Sequence, residues 1–147
     1  MTALIVASLI TLAGPAKDNP VRVTVVIVLA TENTTQVDPR LKDLAKEVQK
    51  RDPKLTGFKL VATESKSIPV GEAAIVPLTD QQVLKVQVDR HKDENGRITL
   101  TLHPPAMDVV SYACVCDKFF PIVTPYRTKA GEQLIIAVMA KPCTGMK

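Results

Sequence analysis

Three cysteines, two histidines and a run of aromatic rings are the residues of this chain with chemistry to offer. The cysteines are Cys114, Cys116 and Cys143, an odd number, so a single disulfide leaves one thiol over. On an extended strand Cys114 and Cys116 point to the same face, about 6.5–7 Å apart, too far for comfortable disulfide geometry. Either is therefore expected to pair with Cys143 across two neighbouring strands in an oxidising compartment, with the third thiol buried or free. One-residue spacing splays two thiolates, whereas structural zinc sites wrap the ion with longer Cys-to-Cys loops. A redox pair would have two residues between the thiols at a helix start. No metal site and no cofactor are expected, and thiol-dependent redox or metal chemistry through Cys114, Cys116 and Cys143 stands as the alternative reading.

His91 lies next to a charged turn and His103 precedes Pro104. Either could act as a base, but a nucleophile also needs an orienting group, and no serine here sits in a glycine-flanked elbow. The six glycines stand at positions 14, 57, 71, 96, 131 and 145, too far apart for a loop that cradles phosphate. The sequence therefore assigns no catalytic residue. Its most distinctive segment is aromatic: Tyr112, Phe119, Phe120 and Tyr126 are four of the five aromatic residues in the chain. On a strand, adjacent Phe119 and Phe120 face opposite ways, so one ring is expected at the surface. Pro121 and Pro125 cannot donate to a ladder, which points to an edge strand or irregular loop. An apolar edge is a natural partner-binding surface, and these four residues are its candidates.

Such residues need elements to position them. The chain has 147 residues, 46% apolar and 23% charged, enough for one core. A net charge of +4 is mild, and with 3% aromatics and no Trp it argues against nucleic acid as a partner. Lys42, Lys46 and Lys50 form a basic column, but interleaved Asp43 and Glu47 mark it as a solvated face. Residues Ala3–Ala13 are uncharged. As a helix they rise only about 16 Å, half a bilayer core, so no integral membrane span is expected. Their length suits the apolar core of a signal peptide cleaved after Ala13 or Ala16. The expected organisation is a signal peptide over 1–16 and a single domain over 17–147, exported to the periplasm or beyond the cell.

Within that domain Val21–Thr31 carries apolar residues on both faces, the pattern of a central strand covered on both sides in its second half. Asp38-Pro39 opens a helix of about 38–51 whose stripe is Leu41, Leu44, Ala45 and Val48, and Asp52-Pro53 closes it. That stripe makes Leu44→Asp an expected severe lesion. Strands follow: 57–65, with Phe58, Leu60 and Ala62 expected inward, 73–78, a hairpin of 83–89 and 97–103 turned by Asp93-Glu94-Asn95-Gly96, then 109–115, 119–123 and 134–140. One helix among six to eight mainly antiparallel strands is an α+β fold, with the helix packed on the sheet.

Several segments resemble a group of small, exported, uncharacterised bacterial β-rich proteins: Val37-Asp38-Pro39-Arg40-Leu41, Leu55-Thr56-Gly57-Phe58-Lys59-Leu60, Pro69-Val70-Gly71-Glu72, the 83–103 hairpin, and the closing Gly131-Glu132-Gln133-Leu134-Ile135-Ile136. Their order is also distantly similar to the envelope β-domains of secretin-type proteins. The resemblance implies an envelope location and a sheet-rich fold, and brings no active-site residues. The sequence thus reads as a non-enzymatic, exported or envelope-associated structural or protein-interaction domain, whose partner is an envelope protein or a second copy of itself.

Overall fold

A computed structural model gives the structure of residues 20–142. The segment 1–16, read from the sequence as a signal peptide, and Cys143 lie outside the described residues. Among the described residues eight antiparallel strands form two four-stranded sheets. Sheet I has the order β2-β1-β8-β7, with β1 Val21–Thr31, β2 Gly57–Ile68, β7 Phe120–Arg127 and β8 Gln133–Pro142. Sheet II has the order β3-β4-β5-β6, with β3 Ala73–Pro77, β4 Val83–Arg90, β5 Arg97–His103 and β6 Val110–Val115. The helix α1, Lys42–Arg51, follows a single 3₁₀ turn, Pro39–Leu41.

The expected α+β, strand-rich fold is present, and the strands divide into two packed sheets. The odd residues of β1, from Val21 to Leu29, face Leu84, Val86, Ile98, Leu100 and Leu102 across the space between the sheets. Each such side chain, once fully buried, contributes about 1.5–3 kcal/mol. The even residues Val28 and Ala30 face outward beneath α1, in a second cluster with Leu41, Ala45, Val48, Leu55, Phe58 and Ile135. The double-sided apolar pattern of β1 follows from this: sheet II lies on one face and the helix covers the second half of the other. The layers run helix, sheet I, sheet II.

Local chemistry sets the ends of these elements. Asp38 Oδ1 accepts the Arg40 backbone N–H at 2.9 Å, and the Arg40 side chain donates to both Asp38 oxygens at 3.0 and 2.7 Å. In the β4–β5 turn, Asp93 Oδ1 accepts from the N–H groups of Asn95 and Arg97 at 2.8 and 3.0 Å, and Gly96 takes a φ of +75°. That left-handed conformation favours glycine. At the start of β2, a Cβ on Gly57 would lie 2.6 Å from Thr34 Cγ2 and 2.9 Å from the Thr34 carbonyl oxygen. Only glycine lets the 31–36 loop approach this closely.

The expectation that Phe58, Leu60 and Ala62 share one face is corrected. Val28 pairs with Leu60 and Ile27 with Ala62, so Val61 is an extra residue in β2. This bulge reverses the alternation. Phe58 and Leu60 pack under the helix, whereas Ala62 packs into the space between the sheets.

Candidate functional site

The four aromatic residues do not form one patch. Tyr112 on β6 and Phe120 on β7 stack with ring centroids 3.5 Å apart and planes at 15°, closing the gap between the two sheets along one side. Tyr126 lies at the far end of β7, where its hydroxyl donates to Asp80 Oδ2 at 3.1 Å. Asp80 and Gln81 form the β3–β4 turn with φ of 54° and 65°, so Tyr126 braces a turn of two left-handed non-glycine residues. Only Phe119 turns out to solvent, 47% exposed. Adjacent rings do face opposite ways, and β7 is an edge strand holding Pro121 and Pro125.

Phe119 stands at the mouth of a cleft of about 720 Å³ between α1 and β7. Val26, Leu41, Leu44 and Ala137 supply apolar lining, and Arg40, Asp43, Glu47 and Lys118 bring charges of both signs. Arg51 Nη1 donates to the Pro121 carbonyl at 3.3 Å and ties the helix end to β7. Glu47 pairs with Lys50 at 3.1 Å, both exposed, as expected of a solvated helix face. The cleft is the feature that the sequence did not disclose. Its one signal is the width of the helix stripe: Leu44 is half-buried and completes the cleft lining, while Leu41, Ala45 and Val48 are fully engaged below.

Cys114 is buried on β6, and its Sγ donates to the Ile98 carbonyl at 3.2 Å. Burial, with the neighbouring Cys116 in second place, pushes its thiol up to about 11. Cys116, half-buried just past β6, is also raised, chiefly by burial, with Lys92 opposing. A reactive thiol needs the opposite shift. Among the described residues neither cysteine is in a disulfide, and their expected partner Cys143 lies outside those residues. The strands leading to these positions, β6 and β8, belong to different sheets; they meet through the Asp117 N–H, which donates to the Ala140 carbonyl at 3.2 Å.

The histidines sit at opposite ends of the β4–β5 hairpin. His103 pairs with Lys85, while His91 follows Arg90, which pairs with Thr99. Six residues of strand separate the two levels by about 20 Å, too far for shared chemistry. Among the described residues no group of His, Cys, Asp or Glu is placed to hold a metal ion. No helix among them is long and apolar enough to cross a membrane.

A buried polar network also escaped the sequence reading. Gln133 Nε2 donates to the Thr124 carbonyl and Thr124 Oγ1 to the Leu134 carbonyl, each at 2.8 Å, while Arg127 donates to Gln133 Oε1 at 3.2 Å. These groups satisfy backbone oxygens where the β7–β8 register shifts between Val123 and Arg127. Polar residues within apolar stretches were the available signal. No family model matches the chain, and no curated protein or solved structure matches it.

Proposed function

We propose that this chain is a non-enzymatic, exported domain that binds another protein of the cell envelope. The observation that carries this reading is Phe119, a large ring left 47% exposed at the lip of an apolar cleft. Anchoring aromatics beside an apolar pocket with a charged rim are the usual energetic centre of a protein interface. The occupant that fits is a partner segment with one apolar anchor flanked by charges, which would meet the Phe119 ring and the Arg40, Asp43, Glu47 and Lys118 rim. The separated histidines and the raised thiols support a binding role over catalysis. The export half of the reading rests on the uncharged stretch Ala3–Ala13 and the small residues after it.

A photo-cross-linking residue at position 119, expressed in the native host, tests both halves. The expected result is a discrete adduct in the envelope fraction, absent when the cross-linker stands at Lys85 on the far face of sheet II. The same preparation should carry a mature N-terminus after residue 13 or 16. An uncleaved chain in the cytosol would overturn the export reading. Identical labelling from positions 119 and 85 would overturn the docking role of the cleft.

A further inference from the structure

Four strands are sheet edges, and three are defended against pairing with another chain. β2 carries Glu64 and Lys66 and a bulge at Val61. β3 is only 5 residues long and ends at Pro77. β7 contains Pro121 and Pro125. Charges, bulges, short length and proline are the devices by which edges avoid association. β6, at 6 residues only one longer than β3, carries no charge, bulge or proline. Its segment, Val109–Cys116, reads VVSYACVC, without charge, proline or glycine, and among the described residues it pairs only with β5. Val109 and Val115, at its two ends, are 53% and 38% exposed.

From this we infer that β6 is a self-pairing edge: two copies of the chain join antiparallel along β6 about a two-fold axis at Tyr112, and their two sheets II merge into one. The argument for a second copy is symmetry. Val109 and Val115 each lie three residues from Tyr112. A two-fold axis there sets Val109 opposite Val115 of the second copy, twice over, and Ser111 opposite Ala113. Ser111, Ala113 and Val115 alternate to the outer face of sheet II, and exposed Val109, one residue before the strand, continues their spacing of two, so opposed side chains share a face as the pleat requires. The nearest charges, Asp108 and Asp117, fall opposite Cys116 and Met107 of the second copy, never opposite each other. On the inner side, the Tyr112–Phe120 stack already closes the sandwich up to this edge. An uncharged edge gives a foreign strand nothing electrostatic to be selected by, whereas the two valines select the self-paired register.

The surface differs from the Phe119 cleft, so the two proposals can fail separately. The full chain, compared with Ala113→Lys and Phe119→Ser variants, is examined by sedimentation with amide hydrogen exchange. Ala113 is exposed, so a lysine there leaves the core intact, and circular dichroism with a melting curve verifies that each variant is folded. The expected wild-type species at about 100 μM is a dimer with β6 amides protected. Ala113→Lys should weaken association at least about 100-fold, by bringing like charge into the ladder, and expose those amides. A wild-type monomer at that concentration would overturn the inference, as would a dimer that survives Ala113→Lys. A dimer lost only in Phe119→Ser would move self-association to the cleft and overturn the β6 assignment.

Discussion

Asp38 shows how one residue can start an element and record it in its titration. The Arg40 side chain, and then its backbone N–H, hold the Asp38 carboxyl down at about 2 from 3.8. Asp93 is lowered in the same way, first by the Arg97 N–H. A carboxyl depressed in the folded state stabilises it fully above the unfolded value and loses that contribution as pH falls through the folded one. The melting temperature should therefore drop between about pH 4 and pH 2, and the drop should flatten in an Asp38→Asn, Asp93→Asn double variant; equal slopes would refute the assignment. His91 makes the opposite point. Its Nε2 is buried without a hydrogen-bond partner among the described residues, a state that costs about 1–3 kcal/mol. His91→Phe should raise the urea midpoint by the equivalent of about 1 kcal/mol. A lower midpoint would mean that the nitrogen has a partner.

Among elements, the helix shows most clearly what a periodic stripe can and cannot convey. Its position, its Asp38-Pro39 opening and its end before Pro53 were legible, because they depend on residues within a turn of one another. Which member of the stripe is most deeply seated was not legible. Val48 is fully buried against sheet I, whereas Leu44 is half-buried at the cleft. Val48→Asp should therefore cost more than about 4 kcal/mol and leave the chain unfolded or nearly so, since an isolated carboxylate cannot be desolvated there. Leu44→Asp, for which the stripe alone forecast a severe loss, should cost only about 1–2 kcal/mol because water reaches the position. Chemical denaturation of the two variants checks the order, and a reversed ranking would refute the packing of α1. The Phe119-Phe120 pair behaves similarly. Alternation predicted that the rings diverge, but nothing local said which of them would meet Tyr112.

For the whole molecule the decisive pairing joins the two ends of the described chain. β1 lies between β2 and β8, in register from Val21 with Pro142 to Ala30 with Gln133. The chain must close a loop of roughly a hundred residues before this ladder forms, and that entropy is lost before the contacts are gained. Refolding should accordingly take milliseconds to seconds, the range of sandwiches dominated by non-local contacts, as read by stopped-flow circular dichroism. Microsecond refolding would be inconsistent with this topology.

The amino-acid order alone determined the alternation of β1, a helical stretch opened by Asp38-Pro39 and closed before Pro53, and the Asp93–Gly96 hairpin, though not that the first turn of that stretch, Pro39–Leu41, is 3₁₀ and only Lys42–Arg51 is α-helix. Each depends on side-chain periodicity and on hydrogen bonds that span a few residues. The tertiary structure alone decided that eight strands divide into two sheets, that Val61 is the bulged residue, that Phe119 faces the helix cleft and that β6 is left as an edge. The reason is physical: backbone N–H and C=O groups are alike in every strand. Which strands lie side by side is settled only by how the apolar faces close over one another across long separations.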